Sequence, residues 1–119
     1  MRGTVFRARE DRMEARKRWL AFGMAVKGAL SLDEGAVRAL VKDNKSLLPT
    51  GVTGVEGDFS PGETVSLRDA AGRELGRGIA NYGACELRRI QGRKSAEVED
   101  LLGFKVADEV IHRDNLVVL

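Results

Sequence analysis

VTGVEGDFSPGETVSLRDAAGRELGRGIANY, residues 52–82, decides the fold class of this chain. It breaks into three short β runs separated by turn residues. Val52–Glu56 is the first run, and GDFSPGE (57–63), with two glycines and a proline, is the turn after it. Glu63–Asp69 alternates, which points Val65 and Leu67 inward and Thr64, Ser66 and Arg68 outward. DAAG (69–72) opens on aspartate and closes on glycine, which suits a type I turn in a hairpin. The return strand, Glu74–Tyr82, carries Leu75 and Ile79 on one face and Gly76, Gly78 and Ala80 on the other. A strand face of such small residues means that something comes close, a neighbouring strand or helix being the simpler reading and a ligand backbone the sharper one.

The flanks alternate between strand and helix signals. GALSLD (28–33) reads as a strand, and Asp33 then caps a helix, EGAVRALVKD (34–43), with Val37, Leu40 and Val41 as its buried stripe. Asn44 ends it, and SLLPTG (46–51) turns on Pro49 and Gly51. Beyond the hairpin, Ala84, Leu87 and Ile90 mark a helix ending at Gly92. Ser95 caps another, with Glu97, Glu99 and Asp100 near its positive end, Val98, Leu101 and Leu102 as its core face, and Gly103 as its stop. NLVVL (115–119) is a last strand. Before all of this, residues 1–9 read as a connector and Glu10 to Phe22 as a helix, with Ala15, Trp19 and Phe22 on an apolar face and Arg9, Arg12 and Arg16 on a basic stripe. The order is helix, strand, helix, three strands, helix pair, strand. It predicts a mixed α/β but mainly β domain, a small closed or half-open barrel, at 26–119, preceded by a connector and helix at 1–25.

Length and composition limit what such a domain does. The 119 residues suffice for one core and exclude an eight-unit βα barrel. Fourteen glycines with only two prolines and no Gly/Ser tract suit tight turns rather than a linker. One cysteine excludes an internal disulfide. No apolar run reaches the ~20 residues of a membrane helix, and no leader-like stretch opens the chain, so a cytoplasmic protein without a membrane partner is expected. The net charge of +2 conceals an asymmetry. Residues 1–21 hold seven basic and three acidic side chains, and the remainder is slightly acidic.

Apparent catalytic motifs dissolve on inspection. GRGIAN (76–81) has Asn81 where a dinucleotide fingerprint needs glycine, and it follows a hairpin. QGRKS (91–95) lacks the spacing of a phosphate-binding loop. His112, the single histidine, has no partner for a zinc site, and Cys85 sits near an apolar stripe where a buried thiol is expected. No catalytic, cofactor-binding or metal residue is assigned. A nucleic-acid contact rests on Arg38, Lys42 and Lys45 beside the loop ending at Gly51. With aromatic residues at 5%, a base-stacking surface is not evident, and a solvated helix face is the simpler reading.

ARKRWLAFG (15–23), SLDEGAVRALVKDNKSLLPTGV (31–52), VEGDFSPGETV (55–65), RGIANYGACELRRIQGRKSAEVEDLLG (77–103) and DEVIHRDNLVVL (108–119) together resemble the C-terminal PUA domain of bacterial glutamate 5-kinases. SLLPTGV and VEGDFSPGE match PUA domains in general, whereas RKRW and EVIHRDNLV are similar to the kinase family in particular. The resemblance implies a PUA-type pseudo-barrel of short strands flanked by helices. It implies a parent enzyme that phosphorylates L-glutamate with ATP and magnesium in proline synthesis, through an amino-acid-kinase domain outside these 119 residues. The module itself would then be non-catalytic and without a cofactor, with a regulatory or assembly role and the parent a possible homo-oligomer. Trp19 and Phe22 would dock it onto the kinase domain. The alternative that the resemblance brings is RNA binding by the first PUA helix and following loop, which places Arg38, Lys42, Lys45, Leu48, Pro49, Thr50 and Gly51 at the contact.

Overall fold

The computed structural model describes residues 15, 17–23 and 25–119. The connector, most of the helix expected from Glu10, and the stripe of Arg9, Arg12 and Arg16 lie outside the described residues, as does the side chain of Phe22. The described end of that helix is a π-helical turn, Trp19–Gly23. Five strands follow, β1 (Val26–Leu32), β2 (Val52–Gly57), β3 (Thr64–Arg68), β4 (Glu74–Ile79) and β5 (Leu116–Val118), together with three helices, α1 (Glu34–Val41), α2 (Ala84–Ile90) and α3 (Val98–Leu102). The sheet order is β2-β1-β3-β4-β5. β1 runs parallel to β3, and every other pair is antiparallel. A lone bridge between Leu47 and Ile111 ties the loop after α1 to the segment before β5.

The core lies on the face carrying Leu30 and Leu32 of β1 and Val65 and Leu67 of β3, which pair across the sheet (Leu30 with Leu67). Leu40, Leu47, Tyr82, Leu87, Ile90, Val98 and Ile111 complete it. The small face of β4 belongs to this side, and its visitors are the protein's own. A Cβ on Gly78 would meet Ile111 Cγ2 at 2.7 Å, and one on Gly76 would meet the Val117 carbonyl. The simpler reading of those glycines therefore holds.

Four expectations change. Thr64 and Ser66 are buried rather than outward, at 1% and 3% exposure. On that face Arg77 stands in register with Ser66 and reaches the carbonyl of Ala21, so the sheet is occupied on both sides there. Val41 is 49% exposed: it is the last residue of α1, and Ala36, Val37 and Leu40 meet the core instead. Ser95 caps nothing. Its hydroxyl donates to the carbonyl of Asp108, and the turn is closed by the Lys94 amide donating to Glu97 Oε1. Cys85 is exposed, because α2 turns Ala84, Leu87 and Ile90 inward and Cys85 falls about 100° round from Ala84.

The β3–β4 hairpin closes as its composition requires. Asp69 Oδ1 accepts from the amides of Ala71 and Arg73, both at 3.0 Å, and Gly72 takes φ +86°. The Arg73 amide, then that of Ala71 and the Arg73 charge, hold the Asp69 carboxyl below its ordinary range. A lowered carboxyl pKa stabilises the fold above the unfolded-state pKa, and that contribution is lost as pH falls through the folded value. Asp69→Ala is thus expected to lower the urea midpoint at pH 7. The gap from the parent should close as acid protonates Asp69, which urea titrations at several pH values would measure.

Candidate functional site

The concave feature of greatest interest lies where the sequence placed a ligand-contacting loop. A groove of about 380 Å³ runs between α1 and the loop that follows it, lined by Asp33, Gly35, Ala36 and Ala39 on one wall and by Lys45, Ser46, Leu47, Leu48, Thr50 and Gly51 on the other. The loop is held from several sides. The Asp33 amide donates to the Gly51 carbonyl at 3.0 Å, and the Gly92 amide to the Pro49 carbonyl at 2.8 Å. The Leu47 amide donates to the Ile111 carbonyl at 2.9 Å, and its own carbonyl accepts from Val110 at 2.8 Å. Gly51 is pressed onto the helix so closely that a Cβ there would lie 2.5 Å from Ala36 Cβ. Such a loop is a rigid wall, which suits recognition better than a mobile strap does.

The expected contact residues divide between the groove and its surroundings. Lys45, Leu48, Thr50 and Gly51 line it, with Leu48 45% exposed. Pro49 is buried within the loop, its carbonyl engaged by Gly92. Arg38 and Lys42 are exposed but outside the groove lining, and Arg38 lies 4.0 Å from Glu34 in an exposed pair that contributes little. Sequence reasoning missed the opposite wall. Gly35, Ala36 and Ala39 form a stripe of small residues, and that stripe is the signal that would have found it. Asp33 brings a carboxylate to the rim, but Oδ1 already accepts from the Ala36 amide at 2.7 Å. The groove thus offers small residues, the hydroxyls of Ser46 and Thr50, one lysine and a half-exposed leucine. It has the chemistry of a contact surface and no nucleophile–base pair.

In QGRKS the Gly92 amide is given to Pro49, that of Arg93 to Ile90, and that of Lys94 to Glu97, so these amides form no phosphate cradle. His112 Nδ1 accepts from the Asp114 amide at 3.1 Å and caps the short turn before β5. Among the described residues, no group of three or more His, Cys, Asp or Glu side chains is placed to hold a metal ion.

At the other side of the sheet the turn Trp19–Gly23 is divided between burial and exposure. Leu20 and Ala21 are buried, whereas Trp19 is 60% exposed and lies over the backbone of Gly23, where a Cβ would come 2.7 Å from the indole.

The family model for the PUA domain matches residues 28–102, which include most of β1, all of β2 to β4, the groove and α3. The chain belongs to the PUA domain family. The solved PUA domain protein of Aeropyrum pernix, determined with tartrate, superposes with a TM-score of 0.54 at 26% identity, over 76% of this chain and 45% of that one. A PUA domain protein of Thermoplasma acidophilum shares the fold at 19% identity and a TM-score of 0.50, over 72% of this chain and 48% of that one. Similarity beyond the PUA fold is specific. The glutamate 5-kinase of Moorella thermoacetica is 54% identical over 117 residues, 98% of this chain and 31% of that protein. That of a Synechococcus strain is 52% identical over 117 residues, 98% of this chain and 32% of that protein. The PUA chain spans about a third of the length of the curated relatives it matches. Among the described residues, no helix is long and apolar enough to cross a membrane.

Proposed function

We propose that this PUA domain is the non-catalytic C-terminal module of a glutamate 5-kinase, the ATP-dependent L-glutamate 5-phosphotransferase of proline biosynthesis, and that it acts on the kinase domain as a regulatory or assembly element. The observation that carries the reading is identity near 50% along almost the whole chain to one-third of each such kinase. ATP and magnesium then belong to an amino-acid-kinase domain in the same polypeptide, in the cytoplasm, and a second copy of the parent is a further partner. Trp19 and Phe22 are the contacts with that domain. In support, Trp19 stands outward on a turn whose neighbouring Leu20 is fully buried, so the turn is anchored while its indole is exposed.

The test compares the parent enzyme with and without these residues, assayed with proline present. Deletion is expected to change proline inhibition, oligomer size or magnesium dependence, and no change in all three overturns the reading. The isolated 119 residues are expected to show no ATP-dependent phosphorylation of glutamate.

A second reading, RNA contact, is favoured by Lys45 and Thr50 in the groove with Arg38 and Lys42 nearby. It predicts RNA retention that falls as salt rises and weakens when Arg38, Lys42 and Lys45 become alanine. Absence of retention at low salt removes it.

A further inference from the structure

Far from the groove along the sequence, one polar construction ties the N-terminal turn to the sheet. Arg77 sits on β4 in register with Ser66 of β3 and Val117 of β5. Its Nη1 donates to the carbonyl of Ala21 at 2.7 Å, a contact spanning 56 positions of sequence. The rest of the guanidinium is held by Glu74, with Nε 2.9 Å from Oε2 and Nη2 3.3 Å from Oε1. Ser66, itself buried, donates its hydroxyl to the same Oε2 at 2.7 Å. A chain of hydrogen bonds thus runs from the middle of the sheet to the end of the N-terminal helical segment.

The end of a helical segment needs such a partner. Its last carbonyls have no donor within the helix and carry the negative end of its dipole. Ala21 lies in the last turn, two residues before Gly23. A guanidinium donated from another element supplies both the hydrogen bond and the complementary charge. Burial of Leu20 and Ala21 also holds the turn, and these two side chains stand apart from the main core cluster. Apolar burial is non-directional and leaves the turn free to slide or rotate. A planar fork fixed on one side by Glu74 does not, because its remaining donors point in a set direction. The Trp19 ring rests on Gly23, so the orientation of the turn is also the orientation of the indole.

We infer that Arg77 is a positioning residue that clamps the N-terminal helical segment to the sheet and sets the outward pose of Trp19, with Glu74 and Ser66 aligning the clamp. The importance of that pose rests on the docking reading above, but the clamp itself does not.

The test uses the 119-residue chain, in which Trp19 is the only tryptophan and reports alone. Arg77→Met keeps the stem and removes the fork. Amide exchange at 19–23 is expected to rise about tenfold or more, with β1 and β3 unchanged, as suits the loss of a charged hydrogen bond. Trp19 anisotropy is expected to fall. Arg77→Lys, which keeps the charge but not the fork, is expected to lie between parent and Met in both readouts, a graded rescue that lost packing would not give. Unchanged exchange at 19–23 and unchanged anisotropy in Arg77→Met overturn the clamp. Where Arg77→Met loosens the whole sheet, Glu74→Gln and Ser66→Ala decide: faster exchange confined to 19–23 supports the clamp, and faster exchange everywhere or nowhere overturns it. Trp19→Ala in the parent kinase tests the docking reading separately, since that reading can fail while Arg77 still clamps the turn.

Discussion

Gly76→Val is expected to detach β5 and to cost about 3–5 kcal/mol, a large part of the roughly 5–15 kcal/mol that holds a domain together. A Cβ at position 76 meets the Val117 carbonyl and lies 3.2 Å from both Val117 C and Val118 Cα. These are backbone atoms, so no rotamer change relieves the contact and the strand itself must move. β5 has only three residues and a single neighbour, with the Leu119 amide to the Leu75 carbonyl at 2.8 Å as one further tie. Displacing it uncovers Leu116, whose burial alone contributes about 2 kcal/mol. Gly54→Ala on β2 is the matched control, because there a Cβ meets Ser31 Cβ at an ordinary 3.5 Å. Its effect is expected within about 1 kcal/mol of the parent. Urea unfolding measures both, and amide exchange should locate the damage at Val117 and Leu119. Equal midpoints for the two variants would mean that β5 accommodates the side chain.

The small face of β4 illustrates what a sequence discloses. Alternation placed Gly76 and Gly78 on one side, and their lack of side chains announced a close neighbour. Its identity was not legible, because Ile111 and Val117 lie more than 30 positions further along the chain. The same limit explains Ser66. Period-two reasoning sends it outward, correctly by geometry, but residues 40 or more positions earlier occupy that face, and Arg77 with Glu74 gives the hydroxyl a partner. The parallel pairing of β1 with β3 has no local signature either, since α1, β2 and two loops intervene.

The candidate site shows the same division. Pro49 and Gly51 marked the loop because proline and glycine punctuate the chain. The clamps that make it a wall, Asp33 to Gly51 and Gly92 to Pro49, are backbone bonds to which side-chain type gives no clue. Cys85 failed for a different reason. A helical stripe judged from Ala84, Leu87 and Ile90 leaves adjacent positions undecided until the helix is rotated onto its sheet, and it rotates Cys85 to solvent.

Tyr82 is where removing the fewest atoms has a comparably large effect. Its ring is fully buried in the core, and its hydroxyl donates to the Ala107 carbonyl at 2.6 Å while accepting from the amides of Val106 and Ala107 at 3.0 Å each. Residues 104–109 contain no helix or strand, and Phe104 and Val106 are exposed, so little apolar burial holds this segment at those positions. The phenol therefore substitutes for secondary structure, with Asn81 Nδ2 to the Glu109 carbonyl at 2.9 Å as a second tie. Tyr82→Phe keeps the packing and leaves three backbone groups without their partner, an expected loss of about 2 kcal/mol. Tyr82→Ala removes the ring as well and is expected to cost about 4 kcal/mol or more. The two variants should differ in kind. With phenylalanine the sheet amides keep their protection while those of residues 104–109 exchange faster and the segment becomes open to proteolysis, whereas with alanine protection falls throughout the core. A phenylalanine variant within about 0.5 kcal/mol of the parent would show that water replaces the hydroxyl and that the segment is held by its remaining ties.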